Sequence, residues 1–392
     1  MCSPRRAFST SKAGASELRG RARRAALNLL AAIVAPLVAS TAGAEEHLTP
    51  KVDWNAQRLP AAGEINVIWV GHSLVEATAS SSWGPVSLMT VVGRLAASRG
   101  LRYKMTDHTL FGSPLSALWR GSPHSYNRDA GHMVPKREAL EREAATYNAI
   151  VLTEAIPLAG TMRFEYSSYY LRRFYCTLLN ANPKARVYLY QTWVHLQGSQ
   201  LSETKQTCTA GFDWQATMRG DRSAWESLAD AASKPSVGAP SLLARFGFPS
   251  QTDAGCTKND PIYMIPVGSA FLALAERLQR PDVAETFKWP DGRVLKLTDL
   301  VQNPIIGNPP CGGTTEANPL RVPSAALDDI HPSLVGIYLS ALVHFSVLYR
   351  QTPLALPAPD DIGAPLARAL QCLAWTTVLK DQRTGVAGKP DC

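Results

Sequence analysis

The sequence predicts an α/β protein of three layers, with a central parallel sheet of about five strands between helices and two long loop insertions. Three observations predict it. Short, continuous apolar runs recur along the chain, as expected for strands covered on both faces. Most are followed by a stretch of helical periodicity, and the connections are too long for hairpins. Polar residues or glycine stand where several of these runs end.

The elements follow in order. Ile65–Val70 is the first buried strand, and Val86–Arg99 has the spacing of an amphipathic helix. Arg102–Thr106 reads as a second strand and Lys136–Thr146 as a charged helix. Ala149–Thr153 is a third strand. It is followed by a helix over Tyr166–Leu179, whose Tyr166, Tyr169, Tyr170 and Phe174 stripe reads as core. Arg186–Gln191 is a fourth strand. Ile262–Val267 is a fifth and leads into a helix over Ser269–Leu278. Ser333–Tyr349 is the last strong helix. Two segments break the rhythm. Gln197–Asp260 is rich in small polar residues, with a helix near Arg222–Ala232. Asp282–Ala326 has little periodicity and contains Asn308-Pro-Pro-Cys-Gly-Gly313. Both read as insertions, about 197–260 and 282–326, on the loop side of one domain spanning 65–350. Residues 351–392 read as an extension packing on that domain.

The chain has 392 residues, with 45% apolar and 18% charged residues and a net charge of +8. That charge is local. Residues 1–44 hold seven of the 40 basic groups and one of the 32 acidic ones, so the remainder is close to neutral. No basic patch argues for nucleic acid. The first segment has the order of a secretory signal: Arg19–Arg24, the apolar Ala25–Val38, then Ala42-Gly43-Ala44 before Glu45-Glu46. Residues 1–44 are therefore expected to be a signal peptide and 45–64 an N-terminal extension. The product would be exported, periplasmic or extracellular, with no stable membrane insertion after cleavage. Cys176, Cys208, Cys256, Cys311, Cys372 and Cys392 remain in the mature chain. An even number in an oxidising compartment predicts disulfides, with the pairing open. No CxxC pair occurs, so a zinc knuckle is not expected, nor is any other metal or cofactor.

Ligands of an open parallel sheet bind beyond the carboxyl ends of its strands. Gly71-His72-Ser73 follows the first strand, and Phe111-Gly112-Ser113-Pro114-Leu115 follows the second. Thr153-Glu154-Ala155 ends the third and Gln191-Thr192-Trp193 the fourth. Asp328-Asp329-Ile330-His331 precedes the last helix. A serine hydroxyl needs a base to become a nucleophile, and a histidine held by a carboxylate supplies one. Asp328 and His331 are three apart in a turn, a spacing at which the carboxylate reaches the imidazole. Backbone N–H groups near Ser73 and Gly112 can bind an oxyanion. Asp329 reads as a solvated neighbour. Taken singly, Ser73 and Asp328 also fit plain helix capping; their joint order along the chain favours a site.

GHSL after an apolar strand, FGSPL, and DDIHPS near the C-terminus resemble the SGNH (GDSL-like) hydrolase family, over most of 65–350. The resemblance implies a flavodoxin-like α/β/α fold and metal-free ester hydrolysis. It implies Ser73 as nucleophile, His331 as base, Asp328 as its partner, and the Ser73 and Gly112 N–H groups as oxyanion donors. The sequence departs from the family pattern at two places. His72 stands where the first block has aspartate. Leu152-Thr153-Glu154-Ala155 stands where the third has Gly-x-Asn-Asp, and an ionised glutamate cannot donate. His72, Glu154 and Trp193 are the expected substrate-binding residues, with Trp119-Arg120 as a second surface for sugar or carboxylate. The expectation is an exported serine esterase acting on a small-molecule or glycan ester, for example deacetylating a polysaccharide. No lipase-type lid helix is identifiable. Two other readings stay open: an acyltransferase using the same residues, and a non-catalytic carbohydrate-binding module of the same fold. The oligomeric state is not legible.

Overall fold

The computed structural model describes residues 54, 63–120, 136–196, 200–201, 206–207, 212–235, 256–303, 328–390 and 392. The expected signal peptide, much of both insertions, Cys208, Cys311, His124 and His132 lie outside the described residues.

Five strands form one sheet: β1 (Glu64–Gly71), β2 (Arg102–Thr109), β3 (Ala149–Leu152), β4 (Arg186–Tyr190) and β5 (Tyr263–Ile265). All pairings are parallel and the order is β2-β1-β3-β4-β5. The labelled helices are α1 (Ser73–Glu76), α2 (Leu88–Ser98), α3 (Leu115–Arg120), α4 (Ser167–Ala181), α5 (Trp214–Ser233), α6 (Val267–Leu278), α7 (Leu334–Tyr349) and α8 (Ala364–Lys380). This is the expected three-layer α/β/α arrangement.

Strand alternation explains the layers. Successive side chains of a strand point to opposite faces. Along β1, Val67 and Trp69 enter a core shared with α2, α6, α7 and α8. Ile68 and Val70 enter a second core with α3, α4 and the later part of α5. Helix α7 is buried on every side from Val335 to Tyr349, which explains why its sequence is apolar all round rather than amphipathic. Each large apolar side chain buried there contributes about 1.5–3 kcal/mol. Ser333 starts that helix by accepting from the Gly336 N–H. Helix α8, in the C-terminal segment, packs on α7.

Several boundaries differ from the sequence reading, for physical reasons. β2 runs on to Thr109, three residues past the expected end, and buries His108. Val86-Ser87 pairs with Thr78-Ala79 instead of opening the helix. α5 begins at Trp214, eight residues earlier than expected, because Trp214 and Met218 add a second buried surface. A helix over Leu158–Phe164 stops short of α4, and Tyr166 turns the chain between them with φ +53°. Disulfides join Cys176 to Cys256 and Cys372 to Cys392. No described helix is long and apolar enough to cross a membrane.

Candidate active site

The strand order reverses beside β1: β2 lies on one side of it and β3 on the other. The crevice beyond the carboxyl ends at such a switch point is where ligands bind. Register aligns those ends, with Gly71 level with Thr109 and Val70 level with Leu152. Gly71 is a requirement of space. A Cβ there would lie 2.5 Å from the Thr153 methyl, closer than carbon atoms approach.

The chain then turns into α1. His72 is its N-cap, and the His72 ring nitrogen Nδ1 accepts from the Leu74 N–H at 3.4 Å. Its Nε2 lies 3.0 Å from the Glu154 carbonyl, which can only accept. The ring is therefore neutral, with its proton on Nε2. Burial, outweighing the Glu154 bond, and the nearby His331 push its pKa down to about 4. His72 was expected to bind substrate, but it is 3% exposed and both nitrogens are committed to backbone. It caps Ser73's helix instead. Ser73 is the first helical residue, so its N–H has no intrahelical partner.

The second turn starts at Leu110, whose N–H donates to the Gly71 carbonyl at 2.9 Å. Gly112 has φ +63°, a conformation glycine adopts without steric cost. No atom lies within 4 Å of where its Cβ would be, so conformation rather than crowding calls for glycine. Phe111 beside it is 64% exposed. Its ring stacks on the His331 imidazole at a centroid distance of 5.6 Å. Sequence reading assigned Phe111 no role; the signal it offered was a large aromatic in an otherwise small, polar turn.

The third component is β6 (Asp328–Pro332), paired antiparallel with Val301–Asn303. Asp328 Oδ2 lies 2.7 Å from His331 Nδ1, and Asp328 Oδ1 accepts from the His331 N–H at 2.9 Å. Burial pushes the Asp328 carboxyl up. The hydrogen bonds from the His331 ring and from the His331 and Ile330 N–H groups together outweigh it and hold the group below its usual value. Asp328 is therefore ionised at neutral pH, and its contact fixes Nδ1 as the protonated nitrogen and leaves Nε2 as the basic one. α1 packs against β6. His331 thus sits beside both turns: its strand packs against the helix that His72 caps, and its ring lies on Phe111.

Four further expectations need correction. Trp193 is 1% exposed, stacked on Phe271 at 4.3 Å, with its indole N–H donating to the Ile330 carbonyl at 2.9 Å. It props β6 from the core and offers no face to a substrate. Asp329 is not solvated: it is 1% exposed and bonds His195 Nδ1 at 2.7 Å. Glu154 is fully buried, and its Oε1 accepts from the Leu115 N–H at 3.1 Å and the Ala155 N–H at 2.8 Å. A carboxyl so enclosed does not meet a substrate. Burial, only partly offset by the Ala155, Ser167 and Leu115 donors, pushes its pKa up to about 7. Trp119, expected at a sugar surface, is buried against Phe174.

Among the described residues no group of His, Cys, Asp and Glu is placed to hold a metal ion. A separate cleft of about 860 Å³ lies between α5, α6 and α8. Its carboxylates Glu226 and Asp381 pair with Arg222, and Glu276 pairs with Arg219. Arg277 and Lys380 lie in the last turns of α6 and α8, where cations complement the helix dipole.

No family model and no curated protein matches the chain. Among solved structures it is similar to a DUF4886 family protein from Bacteroides uniformis, 13% identical with a TM-score of 0.38. That match covers 81% of this chain and 95% of the other. It is similar to a possible lipase from Chitinophaga pinensis, 11% identical with a TM-score of 0.34, over 73% of this chain and 98% of that one. It is also similar to the lipopolysaccharide acetyltransferase periplasmic domain of Salmonella ser. Paratyphi A. There the identity is 13% and the TM-score 0.28, and the match covers 42% of this chain and 64% of the other. Likeness at this level leaves the chemistry to be judged from the residues themselves.

Proposed function

We propose that the protein is an exported serine hydrolase of the SGNH type that cleaves carboxylic esters through an acyl-enzyme. The observation that carries this reading is the Asp328–His331 pair, 2.7 Å apart, on a strand packed against the helix that begins at Ser73. Ser73 attacks the ester carbonyl as His331 Nε2 takes its proton. Asp328 holds the imidazole tautomer and stabilises the imidazolium that forms. The Ser73 and Gly112 N–H groups receive the developing oxyanion. His331 returns the proton to the leaving alcohol, and water then releases the acyl group by the same path. The two disulfides suit an oxidising compartment, in keeping with export.

Phe111 supports a small acyl group borne on a larger alcohol such as a glycan. An exposed ring at the mouth of the crevice offers a flat apolar face to the alcohol side. The same ring covers one face of His331, which favours a second reading in which an acceptor hydroxyl replaces water and the acyl group is transferred. The test is hydrolysis of short-chain p-nitrophenyl esters, with and without an added sugar acceptor. Loss of activity in a folded Ser73→Ala variant supports the reading; full activity in that variant sinks it. Product analysis with the acceptor separates hydrolysis from transfer. A non-catalytic binding module would leave Ser73 unlabelled by a fluorophosphonate.

A further inference from the structure

We propose that Glu154 is a positioning residue that fixes both turns of the candidate site at once; this rests on the serine-hydrolase reading above. Its backbone carbonyl holds the serine turn, through the His72 Nε2–H at 3.0 Å. Its side chain holds the glycine turn, through the Leu115 N–H at 3.1 Å. The other end of that glycine turn is already tied to the serine strand by the Leu110-to-Gly71 bond. The Phe111–Pro114 segment is therefore pinned at both ends, and one pin is Glu154.

The two departures from the family pattern become a matched pair in this geometry. An ionised aspartate at 72 could not donate to the Glu154 carbonyl; a neutral histidine can. A residue at 154 that reaches the Leu115 N–H needs an acceptor on a side chain long enough to span the gap, and the glutamate Oε1 supplies it. The carboxyl is fully buried, so it acts on the turns and touches no substrate. Its surroundings agree: the Ser167 hydroxyl from α4 lies beside it, and the Glu165 carboxylate opposes its ionisation. Glu165 is itself engaged by Ser116 at 2.5 Å and by Arg120 at 3.6 Å. A shift of about 1 Å in a catalytic arm costs up to about 100-fold in rate, so losing this pin is expected to slow acylation without weakening substrate capture.

The experiment compares Glu154→Gln and Glu154→Ala in the mature chain, following fluorophosphonate labelling of Ser73, kcat and KM, and amide hydrogen exchange over 111–116. Gln keeps an acceptor oxygen and is expected to label within about threefold of the parent rate. Ala is expected to slow labelling and kcat by about 10- to 100-fold at little-changed KM, with faster exchange over 111–116. If the alanine variant does not fold, Glu154→Met fills the volume without an acceptor and takes its place. Parent-like labelling and exchange in the acceptor-free variant would overturn the proposal, as would Gln failing as badly as Ala. If the parent chain itself resists labelling at Ser73, the hydrolase reading falls, and exchange alone judges the clamp: faster exchange in Ala but not in Gln sustains it, and equal exchange ends it.

Discussion

Two neighbouring residues of one strand, Asp328 and Asp329, each bond a histidine Nδ1 at 2.7 Å, yet the two pairs lie in different surroundings. The strand is bent here: Asp328 Oδ1 accepts from the Ile330 and His331 N–H groups, which brings its carboxylate round to the ring three residues on. The Asp328 side chain is 28% exposed, and its histidine lies beside the Ser73 and Gly112 turns. The Asp329 side chain is 1% exposed, and its histidine belongs to the chain leaving β4. Around Asp329 the backbone is also tied down, with the Leu196 N–H donating to its carbonyl at 3.1 Å and Trp193 bonding Ile330. One pair faces the crevice and the other fastens the strand that carries the first. The chemistry of an Asp–His contact does not itself mark a site; what the far side of the imidazole meets does.

The largest expected effect isolates the open pair. Asp328→Asn should leave the fold intact and cut kcat by about 10³- to 10⁴-fold in the p-nitrophenyl ester assay, because the imidazole is no longer held in the working tautomer. The fastening pair should show the reverse pattern. Asp329→Asn should lower stability by about 1–3 kcal/mol in urea unfolding, from a buried bond left poorly made. Activity per folded molecule should stay within about tenfold of the parent. Equal loss of activity in both variants would erase the distinction.

Acid titration sharpens the comparison, since neither pair contains the most perturbed groups. Burial lowers His72 to about 4 and His344, fully buried against Trp69 and Tyr190, to about 3. Both bind a proton more readily when unfolded, so their contribution is complete above about pH 6.5 and is lost as pH falls. By pH 5 the loss is about 2 kcal/mol for each. Glu154 has the opposite sign. Its pKa is raised to about 7, so its contribution is complete in acid and is lost as pH rises through about 7. Between pH 7 and pH 5 it offsets part of the histidine loss. Glu154→Gln removes the offset, so its melting temperature should fall more steeply over that range than the parent's. Parallel curves would contradict these assignments.

The smallest effects concern the neighbours that separate the pairs. Phe111→Ala should raise KM a few-fold while sparing kcat, about 1 kcal/mol of binding, because its exposed ring lies at the mouth of the crevice beside the open histidine. Trp193→Phe should cost about 1 kcal/mol of stability, through the lost bond to Ile330, with little change in rate.

Much of this was legible in the sequence, and the gaps have causes. Four of the five strands announce themselves as apolar runs because both faces are buried; β2, at the sheet edge, is largely exposed and carries a mixed sequence. Ser73 and the Asp328–His331 spacing are local features, so order along the chain was enough to nominate them as candidates. The Asp329–His195 bond spans 134 residues and has no local trace. Glu154 was read as a strand-end polar group, because nothing in the sequence indicates that the Leu115 N–H points back at it. Helix α8 was missed despite the Gly363 and Pro365 start signals, since its apolar residues are too evenly spread to show a stripe. Tyr166 gave no warning of its left-handed turn, a conformation more usual for glycine or asparagine.

The placement of β6 near the chain's far end has a consequence for biosynthesis. Ser73 leaves the ribosome some 250 residues before Asp328 and His331 do. On the proposed reading, a half-made or prematurely ended chain carries the alcohol without its base and cannot attack an ester. Emergence of β6 then completes the catalytic set.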